Sequence, residues 1–366
     1  MTKASPLYEK IDIKKLEKSQ VEITGQIPAD EFAKYRAQAL KHINEEVSIK
    51  GFRKGKVPEQ TLISQVGIMP ILEEMAELAL SKAYPHIVID NKIDAIGRPE
   101  IKITKMAEGN PLEFNIVTTV VPEVKLPDYK AISKKVSAKK DEPVTVTEKE
   151  VEEAITEVRK SRVDHSNHSH ESLSKEDHDK LVEESMPELN NEFVQGLGDF
   201  TDVEDFKTKL RENIKSDKER KNLDKKRSEL IEELVSGSTI DLPDILVQSE
   251  LSRIESQFIY DLEQVGIPLD DYLKHIKKTI DGLRKEWTPQ AEKKAKVQLI
   301  LNTIAKEENI VPDQKRVEQE ASFILAQHKD ADLERVKVFV ETMLTNEKVF
   351  EMLEGKESAA KETKDK

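Results

Sequence analysis

The 366-residue sequence contains no cysteine, which excludes disulfides, thiolate nucleophiles, iron–sulfur clusters and Cys-ligated zinc together. Glycine is scarce, at 12 residues, about half the ~7% average, and aromatics reach only 5%. A chain poor in both and 36% charged reads as mostly helical, with long solvated faces. No apolar run approaches the ~18 residues of a membrane span, and the first residues lack the apolar stretch of a secretory signal. A soluble, cytoplasmic protein without a membrane partner is expected. Catalytic signatures are missing too: there is no Gly-rich phosphate loop, no H-E-x-x-H helix and no G-x-S-x-G elbow. No catalytic residue and no cofactor is expected.

The length suits two to three domains at roughly 150 residues each. Net charge is −13, and it is unevenly spread. Residues 1–122 hold 17 Lys/Arg and 17 Asp/Glu, while the remainder holds 42 against 55. Any contact with RNA is therefore expected from the neutral first third, since an acidic surface is repelled by phosphates.

That first third, 1–122, reads as a compact α+β unit. Apolar and polar residues alternate from Tyr8 to Ile27, as in half-buried strands. Pro28 and Asp30 then open a helix with Phe32, Tyr35, Ala39, Ile43 and Val47 on one face. A second helical stretch covers Glu59 to about Asn91. Gly97-Arg98-Pro99 is read as a break, followed by strands near 100–105 and 112–121, the last rich enough in Val and Thr for a central sheet position. Residues 123–160 read as a connector: an extended, proline-punctuated segment, then a helix started by Thr147 and Glu150 in a capping-box pattern.

Residues 161–185 are rich in His and Ser. His165, His168 and His170, with His178 nearby, are the one metal candidate. The segment offers little packing to fix ligands, so a polar loop without metal is expected. Residues 186–353 read as helical throughout, with a second capping box at Thr201 and Glu204. Val247, Leu251, Ile254, Phe258, Leu262 and Val265 form the seam of an antiparallel helix pair or coiled coil. Further helices are expected near 269–283, 289–308, 313–329 and 331–353. Residues 354–366 have the composition of a disordered tail.

One loop carries recognisable chemistry. Lys50, Arg53, Lys54 and Lys56 place four positive charges within seven residues, and no acid lies between Val47 and Pro58. Gly51 and Gly55 permit a tight excursion of the backbone. Phe52 stands among the cations, either as a packing or stacking anchor beside phosphate contacts or tucked back into the core.

The octapeptide Gly51-Phe52-Arg53-Lys54-Gly55-Lys56-Val57-Pro58 resembles the G-F-R-x-G-K-x-P signature of the trigger factor family, bacterial ribosome-associated chaperones. The order of elements from Tyr8 to Val121 is similar to that family's ribosome-binding domain. The stretches Met186 to Phe193, Asp270 to Leu273, Trp287 with 291–294, and Ile304 to Ile310 are similar to its C-terminal domain and the junction before it.

The resemblance implies an α+β ribosome-binding domain followed by a mostly all-α, elongated chaperone domain with helical arms. Gly51, Phe52, Arg53, Lys54, Gly55 and Lys56 would dock at the tunnel exit of the large subunit, on a ribosomal protein and rRNA. Nascent or unfolded polypeptides would be held without ATP, supporting folding and export. A second copy of the chain, in a weak homodimer, stays open as a further partner. The family usually carries an FKBP-type prolyl isomerase domain where residues 161–185 stand. About 25 residues are too few for such a domain, since chains below ~40 residues rarely fold unaided, so its loss is expected. A prolyl isomerase or foldase, and a helical RNA- or protein-binding adaptor, are the alternatives. Which of Phe206, Phe258, Ile259, Phe323 and Phe339 would face a client is left open by the sequence.

Overall fold

The computed structural model describes residues 6–140, 142–163, 185–328 and 330–355. The chain divides into two units: Met1–Pro127 with Gly237–Asn346, and Asp128–Ser236 with Glu347–Lys366.

The first unit contains a four-stranded antiparallel sheet built from β1 (Glu9–Leu16), β2 (Gln20–Ile27), β3 (Ala95–Lys105) and β4 (Leu112–Val120), in the order β1-β2-β4-β3. The Val- and Thr-rich β4 is central, as its composition suggests. Between β2 and β3 come α1 (Ala29–Ala33), α2 (Arg36–Glu46), α3 (Glu59–Val66) and α4 (Met69–Asp90). Alternation decides which sheet face is covered. Val21, Ile23 and Ile27 of β2 and Leu112, Phe114 and Ile116 of β4 are buried against Leu62 of α3 and the α4 stripe Ile71, Leu72, Met75, Ala76, Ala79, Leu80, Ala83 and Ile87. Thr118, also on this face and buried, meets the Tyr84 hydroxyl of α4 at 2.8 Å. Gly25 belongs to the same face. A Cβ there would lie 2.8 Å from Phe114 Cζ, so glycine makes room for the ring. The opposite face is polar, with Asn115 donating to Glu22 at 2.6 Å.

Local signals explain where the expected elements divide. The first helix breaks at Lys34 and Tyr35 into α1 and α2, and the second at Gly67, whose φ of 81° ends α3. Gly97-Arg98-Pro99 does not break the chain. It lies inside β3 as a bulge between Ile96 and Glu100, with Gly97 at φ 75°.

In the same unit, β5 (Val124–Lys125) pairs antiparallel with β6 (Thr239–Ile240). Beyond β6 lie four helices, here numbered after those of the second unit: α9 (Asp244–Gln264), α10 (Leu269–Ile276), α11 (Ile280–Glu307) and α12 (Gln314–Gln327). Helix α13 (Leu333–Leu353) follows, its last residues from Glu347 belonging to the second unit. Helices α9 and α11 are antiparallel neighbours: Val247 and Leu251 pack with Ala291, while Arg284 binds Glu255. Phe258 meets Tyr272 and Trp287 edge-on, with centroids 5.4 and 5.2 Å away. Val265, counted in the seam, is instead 68% exposed, because α9 ends before it. The following boundary also moves. Lys277 ends α10 in the left-handed conformation, Thr279 caps α11 by accepting from the Gly282 N–H, and Pro289 lies inside α11.

The second unit comprises α5 (Tyr129–Ser137), α6 (Glu148–Lys160), α7 (Asn191–Gln195) and α8 (Val203–Gly237), with Gly237 itself belonging to the first unit. Helix α5 stands where an extended connector is expected. Asp128 caps it, accepting from the Ala131 N–H at 3.0 Å, and Lys135 pairs with Glu233 of α8 at 2.8 Å. Val151 and Ile155 of α6, Val194 of α7 and Phe206 of α8 form a small core. The Thr147–Glu150 capping box is present in both directions. The start of α8 is displaced by one residue from the expected box: Asp202, not Thr201, receives the Asp205 N–H, while the Asp205 carboxylate receives the Thr201 N–H.

Candidate functional site

The basic segment between α2 and α3 is a tight loop with a fastened base. Asn44, near the end of α2, donates from Nδ2 to the Val57 carbonyl at 2.7 Å and accepts from the Val57 N–H at 3.0 Å. Its own carbonyl accepts from the Gly55 N–H at 2.9 Å. Val57 is buried beneath this staple, and Val47 and Ile49 pack on the same core. Two short turns shape the tip: Phe52 N–H reaches the Ile49 carbonyl, and Lys56 N–H the Arg53 carbonyl. Gly51 and Gly55 take φ of 95° and 76°, where a side chain would be strained.

The tip itself, residues 50–54 with Lys56, faces solvent. Gly51, Phe52, Arg53, Lys54 and Lys56 are exposed, with Phe52 at 43%; Gly55, at the base, is half-buried. The Phe ring therefore does not tuck back into the core. Lys50, Arg53, Lys54 and Lys56 make no ion pair among the described residues. The result is an aromatic ring and four uncompensated cations on a rigid base. Such a surface suits phosphate oxygens and a carboxylate-bearing partner, with one apolar pocket to receive the ring. Asn44 is the residue sequence reasoning missed. Beside the loop, a cleft of about 600 Å³ is lined by Lys34, Arg36, Leu40, Lys41, Val57 and Leu62, among others.

The helices of the first unit present a second surface. Val336, Val340 and Leu344 of α13 pack on Val317 and Ala321 of α12. The neighbouring positions Val338, Phe339 and Met343 are exposed at 60%, 61% and 41%. They line a cleft of about 750 Å³ with Arg253, Gln298 and Asn346. Of the five apolar residues left open, Phe206 is buried, Phe258 stands in its aromatic group and Ile259 is half-buried. Phe323 and Phe339 are exposed.

Residues 9–158 match the family model described as bacterial trigger factor protein, and residues 202–358 match the model of its C-terminus. The chain belongs to the trigger factor family. The trigger factor of Halalkalibacterium halodurans is 27% identical, with 84% of this chain and 87% of that protein covered. That of Carboxydothermus hydrogenoformans is 26% identical, over 91% and 94%. A solved structure from a study of promiscuous substrate recognition in folding and assembly by the trigger factor chaperone shares the fold, with TM-score 0.52 and 17% identity. It covers 95% of this chain and 99% of its own. Residues 159–201 lie between the two matched parts of the family, which agrees with the expected loss of the isomerase domain. His165, His168, His170 and His178 lie outside the described residues. No group able to hold a metal is found among the described ones, nor any helix long and apolar enough to cross a membrane.

Proposed function

We propose that this ribosome-associated chaperone docks through the exposed tip of the 50–56 loop, with Phe52, Arg53, Lys54 and Lys56 as reading residues and Gly51 and Gly55 shaping the turn. Phe52 fills an apolar pocket on a ribosomal protein at the tunnel exit, and the cations meet rRNA phosphates and acidic side chains. The helical residues then hold nascent or unfolded polypeptide in the cytoplasm, without nucleotide. The domain bounds 1–122, 123–160, 161–185, 186–353 and 354–366 belong to this reading. The observation that carries it is the combination at the tip: an aromatic ring 43% exposed amid cations without ion pairs, on a base stapled by Asn44.

Sedimentation with ribosomes tests this. The wild type is expected to pellet, less so as salt rises, because each phosphate contact releases counterions. A Phe52→Ala/Arg53→Ala/Lys54→Ala variant is expected to stay in the supernatant. Equal pelleting of both would remove the loop as the dock and bring the adaptor reading forward. A prolyl isomerase is not favoured, since the two family matches flank the place of that domain.

A further inference from the structure

At one end of the four-stranded sheet, two irregular pieces of backbone grip the same short stretch, residues 241–245, at the entry to α9. The first is the β1–β2 turn. Lys18 and Ser19 both adopt left-handed backbone, with φ of 56° and 51°. Asn-Gly suits such a two-residue turn, and side chains such as these adopt it under strain. Their compensating contacts lie outside the hairpin. The Ser19 N–H donates to Asp241 Oδ2 at 2.7 Å, Ser19 Oγ donates to the Asp241 carbonyl at 2.6 Å, and Lys18 Nζ meets Asp244 Oδ2 at 2.7 Å.

The second grip is the β3 bulge. Gly97 leaves open the place where a Cβ would sit, and Ile245 Cδ1 occupies it. The register puts both grips at one end, since Gln20 and Ile96 each pair with Thr119. Ser19 also accepts from the Val120 N–H at 2.8 Å, which ties the turn to β4.

We infer that the Lys18-Ser19 turn and the Gly97 bulge form a releasable clasp that fixes the sheet to the start of α9. Closing the clasp exchanges the relaxed turn for three polar contacts and one apolar fit. Opening it restores the relaxed turn, and exposed polar contacts of this kind are individually weak. The clasp governs how the sheet, with its basic loop, is carried relative to α9 and α11. It is independent of what the loop binds.

The absence of cysteine makes the test clean. Nitroxide labels at Lys102→Cys in β3 and Lys294→Cys in α11, on the full chain, report one distance by pulsed electron paramagnetic resonance. With the clasp intact the distribution is expected to be narrow. Asp241→Ala/Asp244→Ala is expected to spread it and to speed exchange of the Ser19 amide about tenfold, while circular dichroism stays unchanged. Lys18→Asn/Ser19→Gly relaxes the turn but removes the ion pair and the hydroxyl contact. It is expected to raise the melting temperature or leave it unchanged, and still to broaden the distance. An unchanged distribution in the aspartate variant, or a narrower one in the turn variant, would overturn the clasp. Ribosome sedimentation of the same variants keeps this result separate from the docking reading.

Discussion

Asn44 and Phe52 lie eight positions apart and contribute in opposite ways. Asn44 satisfies both backbone groups of the buried Val57, so removing its amide strands an N–H and a carbonyl. Asn44→Ala is expected to cost about 1–3 kcal/mol in chemical denaturation and to weaken ribosome binding only by loosening the loop. Phe52→Ala alters an exposed ring and is expected to leave stability within about 0.5 kcal/mol while abolishing sedimentation. If Phe52→Ala instead destabilised the fold, the ring would be structural. This asymmetry also marks what the sequence can display. Charge and an aromatic within a glycine-flanked octapeptide are legible because the chemistry is local. The Asn44 staple is not, since an Asn on the polar side of an amphipathic helix looks solvated until the chain folds back thirteen positions later.

Helices obey their termini more than their apolar stripes, and that decides which elements were legible. The α9 seam and the α4 stripe follow from periodicity, and β4's central place follows from its β-branched residues. Pro289 looked like a helix start because proline favours first turns. Thr279 holds that role instead, and the Thr288 hydroxyl bonds the Arg284 carbonyl at 2.9 Å beside the proline. Helix α5 is hard to read between prolines because its N-cap, Asp128, is a signal too short to outweigh them. The Thr147–Glu150 capping box yields a pH prediction. Lys218 at 2.6 Å, then the Thr147 N–H and hydroxyl, hold the Glu150 carboxyl at about 2, below its ordinary 4.5. A depressed carboxyl contributes its stabilisation above the unfolded value and loses it as pH falls through the folded one. Helix α6 is therefore expected to keep its N-terminal order at pH 5 and lose it between about 4.5 and about 2. Amide chemical shifts of residues 148–151 would follow this. Glu150→Gln should flatten the transition, and an unchanged transition would mean that other groups set it.

At the scale of the whole chain, charge and exposure set the two proposed activities on different surfaces. The neutral first 122 residues carry the loop, whereas the acidic remainder, 42 Lys/Arg against 55 Asp/Glu, carries the exposed apolar cleft of Val338, Phe339 and Met343. An acidic body repels RNA, which on the proposed reading leaves ribosome contact to the loop. As a proposed client surface, a cleft of exposed apolar side chains on charged helices would offer adhesion without deep burial, which favours fast exchange over capture. Phe339→Ser/Met343→Ser is accordingly expected to weaken suppression of aggregation of a chemically unfolded client. It should leave sedimentation with ribosomes intact, because neither residue adjoins the loop. The Phe52→Ala/Arg53→Ala/Lys54→Ala variant should do the reverse, suppressing aggregation in free solution while failing to pellet. Light scattering of the diluted client, read beside the pelleting assay, checks both arms. Loss of both activities in either variant would mean that one surface serves both tasks, and the division by charge would then have no functional content.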